Sequence, residues 1–301
     1  MKKRRRGVAA AMASMLFVSL FLMEPGEALA WGEHGHKLSG RAAATRLPKT
    51  MPDFFRKAAD QLEYLNPEPD RWRSKVMKEM NEAFSYDHFI DLEMVPPAAL
   101  DAEDRYAYLI ALYQAGIKQP EVAGLLPFRI LELYERLRAE FHLWRNARDK
   151  RTRRWIEGRI LNDAGVLGHY VSDGANPHHA TIHHNGWDKN TPNPNNYTAD
   201  DTFHGRFESE YVGTHIRLND LLPLIDPAPR VIENPRAEII AYLRKSNSLV
   251  ERLYQLDKQA KFDKETTAAE NKSFTVDRLA AGVEMLRALW WTAWVRSETL
   301  N

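Results

Sequence analysis

Two histidine–carboxylate pairs in the second half of the chain constrain its fold most strongly. His169 and Asp173 are four residues apart, at the end of a largely apolar run over residues 160–171. On a helix, residues i and i+4 lie on one face about a turn apart, so both side chains can reach a single ion. The spacing therefore predicts a helix that carries a pair of metal ligands.

A third candidate ligand and a second pair follow this helix. The chain breaks at Asn176-Pro177, and His179 comes ten residues after His169, where it can return to the same pocket. His204 and Glu208 repeat the i, i+4 spacing. Nitrogen and carboxylate ligands mixed in this way suit zinc. For any one pair taken alone, the alternative is a set of unrelated polar side chains on a helix surface.

The first thirty residues have the pattern of a cleaved secretory signal. Five basic residues at 2–6 precede an apolar stretch at 8–23, and Ala28-Leu29-Ala30 is a small-x-small cleavage site. The apolar stretch is shorter than the roughly 20 residues of a membrane span, so we expect no transmembrane anchor. A retained N-terminal anchor is the alternative. Cleavage would export the protein to the periplasm or the exterior, with Trp31 as its first residue.

Charge and cysteine content narrow the function classes. Residues 1–30 contain five of the 42 basic and two of the 41 acidic residues, so the remainder carries a net charge of −2. This balance does not support a long basic groove for nucleic acid. The chain has no cysteine, so bound metal rather than disulfides would help to stabilise an exported form.

Helical spacing of apolar residues dominates the rest of the chain, and no segment alternates convincingly with the period of a strand. We predict helices over residues 36–46, 52–64, 71–83, 98–114, 121–146, 151–174, 202–217, 237–257 and 274–296. The predicted fold class is all-α, a single multi-helix bundle domain over residues 31–301 with a zinc cluster in a cleft between helices.

Two of these predicted helices have marked apolar faces. In the helix over 98–114 the apolar face is formed by Tyr106, Leu109, Ile110 and Tyr113. In the helix over 274–296 the core stripe is formed by Leu279, Val283, Leu286, Leu289, Trp290 and Trp294. We expect the last stripe to lie in the core.

The start of the expected mature chain, Trp31-Gly32-Glu33-His34-Gly35-His36, can itself bind metal. A free α-amino group and the carbonyl of the same residue form a chelate ring with an ion. The amine has an ordinary pKa of about 7.7–8.0, and metal binding favours its deprotonated form. His36, five residues after Trp31, can close the same site.

In their order along the chain, these motifs resemble the zinc-dependent phospholipase C and nuclease P-one superfamily, secreted all-helical phosphodiesterases with three zinc ions. The resemblance extends from Trp31 to about Trp294. Trp-Gly-x-x-Gly-His at 31–36, Asp-x-x-Arg at 70–73 and His-Phe-Ile-Asp at 88–91 are similar to the single-strand nuclease branch. The spacing of residues 169, 173 and 179 is that of both branches. Glu208 resembles the phospholipase branch, since nucleases usually have aspartate there.

The resemblance implies three zinc ions bound by nine residues. The three ligand sets are Asp70, His88, His169 and Asp173; His179, His204 and Glu208; and the Trp31 amino and carbonyl groups, His36 and Asp173. Asp173 would bridge the first and third ions, and the second ion would be the more exposed. Asp53 and Asp60 are alternatives to Asp70.

The resemblance also implies roles beside the ions. Asp70 would orient the attacking water or accept its proton, and Arg73 would assist the charge that develops on phosphorus. Phe89 would stack a base. Apart from the resemblance, His183 and its neighbour His184 could line the mouth of the cleft, and we name His183 as the candidate substrate contact. The alternatives are a solvated arginine, a phenylalanine packed in the core and ordinary loop histidines.

Three functions are compatible with these residues. The first is a secreted zinc phosphodiesterase, most similar to a single-strand nuclease that acts on DNA, RNA or nucleotide esters. The second is a zinc-dependent phospholipase C that releases a phosphorylated head group, which Glu208 favours. The third is a non-catalytic, zinc-stabilised binding protein. The loop over 185–201 lacks the Gly-Gly-Asn element that many of the nucleases carry, which leaves base recognition open. None of the three implies a stable protein partner.

Overall fold

The computed structural model describes residues 31–74 and 76–300, and these ranges are helical. The α-helices are α1 (Gly32–Ala43), α2 (Asp53–Arg56), α3 (Ala59–Leu65), α4 (Glu68–Arg71), α5 (Lys78–Phe84), α6 (Arg105–Gln114), α7 (Leu126–Asn146), α8 (Lys150–Ala175), α9 (Phe203–Gly205), α10 (Val212–His215), α11 (Leu218–Leu221), α12 (Pro235–Asn247), α13 (Val250–Gln259) and α14 (Ala269–Arg296). The 3₁₀ segments are Ser85–His88, Pro97–Asp101, Pro120–Ala123, Pro177–Ala180 and Leu222–Leu224, and Arg206–Tyr211 is π-helical.

These elements confirm the all-α prediction. Within the two described ranges there is no strand, only an isolated bridge between Ile90 and Gly124. None of the described helices is long and apolar enough to span a membrane. The predicted signal segment, residues 1–30, lies outside the described residues.

Helix α8 is the element on which the others pack. Asp149 caps its N-terminus, where the carboxylate accepts hydrogen bonds from the backbone N–H groups of Arg151 and Thr152. Every residue from Asp163 to Ala175 is buried, because α1, α3, α7 and α14 all contact this helix. The C-terminal half of α8 therefore lies inside the protein, and its polar residues are enclosed with it.

Two glycines of α8 allow a neighbouring segment to approach closely. A Cβ atom at Gly165 would lie 2.3 Å from the Cβ of Leu65, and one at Gly168 would lie 2.3 Å from Nδ2 of Asn66. A side chain at Gly165 would force the end of α3 away from α8, and one at Gly168 would displace the side-chain amide of Asn66. The glycines thus bring Asn66 against α8, next to His169.

The core beside α8 is rich in aromatic side chains. Phe55 packs against Phe141 and Trp290 with ring centroids 5.7 Å and 5.2 Å apart, and the Trp290 indole N–H donates to the Ala164 carbonyl. The six apolar residues that we predicted as the core stripe of α14 are all buried. That prediction is confirmed.

The predicted apolar face of α6 is wrong. Tyr106, Ile110 and Tyr113 are 72%, 58% and 64% exposed, whereas Tyr108 and Leu112 are buried. Apolar residues lie on both sides of this helix, so spacing alone did not identify the side that packs.

Some predicted helices are divided in the structure. The segment 52–64 contains α2 and α3, the segment 71–83 is interrupted between α4 and α5, and the segment 237–257 contains α12 and α13. Asn247, at the end of α12, donates from its side chain to the Ala180 carbonyl and the Glu93 carboxylate. These contacts join distant parts of the chain, so a local pattern does not report them.

We expect Trp290→Ala to lower the free energy of unfolding by about 3–5 kcal/mol, because it removes a buried indole and leaves a cavity. Urea unfolding in the presence of a chelator measures this cost without a contribution from metal. Trp155→Ala is the matched control, since Trp155 is exposed and its removal should change stability by about 0.5 kcal/mol or less. Equal losses in the two variants would contradict the assignment of the core.

Candidate metal centre

The carboxylate of Asp173, near the C-terminal end of α8, lies among three imidazoles. Its Oδ2 is 3.1 Å from Nδ1 of His88 and 3.3 Å from Nε2 of His169. Its Oδ1 is 3.3 Å from Nε2 of His36. All four side chains are buried. The two oxygens thus face different imidazoles, an arrangement in which one carboxylate can contact two ions.

Asp70 joins the same cluster from α4. Its Oδ1 lies 3.7 Å from Nε2 of His169, and its Oδ2 lies 3.9 Å from Nε2 of His36. The alternatives Asp53 and Asp60 form ion pairs with surface arginines and are largely exposed. The structure therefore places Asp70, and neither alternative, with the predicted ligands.

A second cluster lies beside the first. Nε2 of His204 is 2.8 Å from Oε2 of Glu208 and 3.2 Å from Nε2 of His179. Glu208 belongs to the π-helical segment Arg206–Tyr211, a rare geometry that often marks a functional site. His179 follows the end of α8, as the break at Asn176-Pro177 predicts. Its Nδ1 lies 4.0 Å from Asp173, so the two clusters are adjacent.

The main chain of Trp31 reaches the second cluster. Its backbone nitrogen lies 3.1 Å from Oε2 of Glu208, and its indole N–H donates to the carbonyl of Ser172 over 2.6 Å. The carbonyl of Trp31 accepts the N–H of Gly35, the first hydrogen bond of α1. His36 lies beside Asp173, with which the resemblance groups it, whereas the Trp31 nitrogen lies beside Glu208, a residue of another predicted ligand set. A free amine at Trp31 requires cleavage after Ala30, which lies outside the described residues.

Backbone carbonyls and a side-chain amide orient the imidazoles. The Nδ1 atoms of His169 and His179 lie 3.0 Å and 2.7 Å from the carbonyls of Asn66 and His88. A carbonyl only accepts, so these Nδ1 atoms carry protons and each Nε2 is directed towards the cluster. Nδ1 of His36 lies 3.1 Å from Oδ1 of Asn66, which leaves its Nε2 facing Asp173.

Several buried atoms in the two clusters have no hydrogen-bond partner among the described residues. These atoms are Nε2 of His36 and of His88, both carboxylate oxygens of Asp70, Oδ1 of Asp173 and Oε1 of Glu208. Buried polar atoms without partners are costly, and carboxylates the most so. Three groups have ligand atoms within 4.8 Å of one another, namely His36, Asp70 and His169; His88, His169 and Asp173; and His179, His204 and Glu208. The residues therefore fit metal ions.

Burial and charge set different protonation states for these histidines. Burial lowers the pKa of His88 and of His169 to about 4, so both are neutral and ready to bind metal at pH 7. Burial opposes charge on His179 as well, but Asp173 and Glu208 together raise its pKa to about 9. A metal ion at the second cluster must therefore displace a proton from His179 near neutral pH.

A cleft of about 420 Å³ opens over both clusters. Its lining residues are Arg73, Asn81, Ser85, His88, Phe89, His178, His179, His184, Asn185 and His204. Nη1 of Arg73 lies 3.8 Å from Asp70, so this guanidinium points into the cleft rather than into bulk solvent. Phe89 is half-buried and lies 6.5 Å from the ring of His184, which places it in the wall of the cleft and not in the core.

The two loop histidines, His183 and His184, have different surroundings. His183 is not among the residues that line the cleft; its ring stacks on Trp187 at 3.9 Å, and its Nδ1 accepts the backbone N–H of Asp188. The next residue, His184, lines the cleft instead. Adjacent residues in an irregular loop point in different directions, and the sequence does not indicate which one faces the cleft.

Sequence reasoning missed the amides that support the site. Asn66 contacts two ligand histidines, and the side chain of Asn176 donates to Oε2 of Glu208 over 3.2 Å. Both asparagines precede a proline, a pattern that predicts the end of a helix and does not indicate what the asparagine side chain contacts. Asn81, Ser85 and Asn185 in the cleft wall had no recognisable signal.

No protein-family model, curated protein or solved structure matches the chain. The geometry of the buried clusters and of the cleft above them therefore carries the functional assignment. Three groups of buried histidines and carboxylates are able to hold metal ions. His88, His179 and His204, which belong to two of these groups, line a cleft of the size that small-ligand sites have.

We expect Asn66→Ala to lower metal affinity by about 10–100-fold, because His36 loses the side chain that orients it. His169 keeps its partner, since alanine retains the main-chain carbonyl. Competition with a chromophoric chelator measures the affinity, and unfolding without metal measures any separate cost to the fold. Asn190→Ala, in the exposed loop, is the control. Unchanged affinity in Asn66→Ala would show that His36 needs no such support.

We expect metal binding near pH 7 to release at least about one proton, from His179. The pKa of this residue is raised to about 9, so affinity should increase as the pH rises from 7 towards 9 and then level off. Calorimetric titration in two buffers of different ionisation enthalpy gives the number of protons released. A binding enthalpy that is the same in both buffers would contradict the raised pKa.

Proposed function

We propose that this protein is a zinc-dependent phosphodiesterase of the phospholipase C and nuclease P-one superfamily. The observation that supports the proposal best is the position of the Asp173 carboxylate, with one oxygen towards His36 and the other towards His88 and His169. These residues come from distant parts of the chain. Unrelated polar side chains would not converge in this way on a buried carboxylate.

The proposal assigns three zinc ions to the two adjacent clusters. The nine proposed ligand residues are Trp31, His36, Asp70, His88, His169, Asp173, His179, His204 and Glu208. Imidazole nitrogens and carboxylate oxygens in these proportions suit zinc better than calcium or magnesium, which prefer oxygen ligands alone. Ligation by the amine of Trp31 depends on cleavage of the proposed signal segment, which would also direct export of the protein.

When bound, the ions supply an acidified water and neutralise charge on a phosphoryl group. The protein supplies orientation and the remaining charge. Asp70 lies beside the ligand imidazoles, where its carboxylate can orient a water molecule or accept its proton. Arg73 points into the cleft and can donate to a phosphoryl oxygen as negative charge develops there.

The cleft wall favours a nucleotide ester or single-stranded nucleic acid as substrate. Phe89 is half-buried in this wall, near His184, and offers an aromatic face on which a base can stack. Asn81, Ser85 and Asn185 add groups that can hydrogen-bond to a base or a sugar. A duplex would have to open before one of its bases could reach this wall.

Phospholipase C activity is the second candidate, and Glu208 is the residue that favours it. Its carboxylate lies 2.8 Å from His204, in the position where the resemblance associates glutamate with the phospholipase branch. The fold and the metal ligands are the same for both candidates. The substrate therefore has to be decided by assay.

We expect the protein to hydrolyse a generic aryl phosphodiester, to lose this activity with a chelator and to regain it with zinc. Asp173→Asn should lower the rate by at least about 100-fold, because it weakens binding of two ions. Asp163→Asn is the matched control, since Asp163 is also a buried aspartate on α8 but pairs with Arg136 away from the cluster. Equal effects of the two substitutions would contradict the proposed site.

Parallel assays on denatured DNA, RNA and phosphatidylcholine vesicles identify the substrate class. Faster cleavage of the nucleic acids supports the nuclease-like proposal, and release of a head group alone supports the second candidate. Zinc binding without turnover of any substrate would identify a non-catalytic, zinc-stabilised protein.

A further inference from the structure

The segment from the end of α7 through the first turns of α8, residues 145–159, is rich in positive charge. It includes seven lysines and arginines and two acidic residues, a net charge of +5. The rest of residues 31–301 carries −7, so the near-neutral total conceals a strongly asymmetric distribution. Such asymmetry is typical of a surface that meets an anionic partner.

The charges of this segment are exposed and largely unpaired. Arg148, Lys150, Arg151, Arg153 and Arg154 are all exposed, and in the described part of the chain none of them forms an ion pair. The arginines at the two ends of the segment are the ones that pair, Arg145 with Glu298 and Arg159 with Glu140.

Helix stability does not account for this charge. Lys150, Arg151 and Arg153 lie in the first turn of α8, which contains no acidic residue. The N-terminal end of a helix carries partial positive charge, so basic residues there are unfavourable. Binding to an anionic partner explains these basic residues better than helix stability does.

An apolar groove of about 410 Å³ lies within the same surface. Leu143, Ala147, Trp155 and Ile156 provide its apolar lining. Trp155 is 60% exposed and Leu143 is 48% exposed. The guanidinium of Arg151 lies 4.8 Å from the centre of the Trp155 ring, so basic and apolar groups are interleaved.

We propose that this surface, formed by Leu143 and residues 145–159, docks on an anionic phospholipid bilayer. Tryptophan and leucine enter the boundary between head groups and acyl chains, while lysine and arginine contact the anionic head groups. A polynucleotide would satisfy the charges and could stack on Trp155. It offers nothing to fill the aliphatic part of the groove at Leu143 and Ile156, and a bilayer does.

The docking surface and the metal centre lie at opposite ends of α8. Trp155 and Asp173 are eighteen residues apart on this continuous helix, which corresponds to about 27 Å. Docking would hold the protein at a membrane and leave the cleft far from the lipid, accessible to a soluble substrate. The inference is independent of the proposed function.

Vesicle flotation of the full chain tests the proposal. The vesicles contain phosphatidylcholine alone, or phosphatidylcholine and phosphatidylglycerol in equal amounts. We expect binding to the anionic vesicles, weakened by salt, and at most weak binding to the neutral ones. Arg151→Gln with Arg154→Gln should weaken binding by about 25-fold, about fivefold for each charge. Trp155→Ala should weaken it as well.

Lys261→Gln with Lys264→Gln removes two exposed charges outside the surface and should leave binding unchanged. All variants share one N-terminus, so any binding by the apolar residues 8–23 is common to them. Equal binding by the arginine and lysine variants would overturn the proposal, as would the absence of binding by the unaltered protein.

Loss of single-stranded DNA binding in the arginine variant, with vesicle binding retained, would instead identify a polynucleotide surface. The arginine variant should hydrolyse a soluble phosphodiester normally, so this test and that of the enzyme activity can fail separately.

Discussion

The contact between the Asp173 carboxylate and the imidazoles of His36, His88 and His169 is the interaction on which the site depends. It requires an aspartate inside the protein, on the buried C-terminal half of α8. The glycines at 165 and 168 make this possible, because they let the end of α3 pack directly on α8 and bring Asn66 to two of the imidazoles. A change at any of these points would alter the positions of the ligands relative to one another and weaken metal binding.

This arrangement is unfavourable for the fold when no cation is bound. Two carboxylates of the first cluster and one of the second are buried, and several of their oxygens have no partner among the described residues. His88 and His169, which burial keeps neutral, do not offset the negative charge, and only part of it is offset by His179, whose pKa is raised to about 9. Cations would satisfy those atoms and convert a local cost into a contribution to folding. A chain without cysteine, and so without disulfides, has reason to use such a contribution.

The ligand pairs could be predicted from the sequence because a helix imposes the i, i+4 relationship wherever it forms. His169 with Asp173 and His204 with Glu208 needed no knowledge of the rest of the fold. Asp70 and His88 were identified through resemblance, since no local rule brings their segments to α8. Asn66, the inward orientation of His184 rather than His183, and the packed side of α6 all depend on which surfaces meet in three dimensions. Those surfaces are selected by the total burial of the chain, and a local pattern carries little information about them.

Helix α8 also relates the two charged regions of the molecule. Its buried C-terminal half carries carboxylate and imidazole groups that can bind cations, and its exposed N-terminal end carries basic residues that attract anions. A single continuous helix holds Lys150 about 35 Å from Asp173, so neither region neutralises the other. Basic side chains close to the clusters would pair with Asp70, Asp173 and Glu208 and compete with metal. Arg73 is the exception, and it stays 3.8 Å from Asp70 and lines the cleft, where a negatively charged substrate would lie. The separation of charge along α8 is therefore what allows metal ligands and a basic surface to coexist in one small fold.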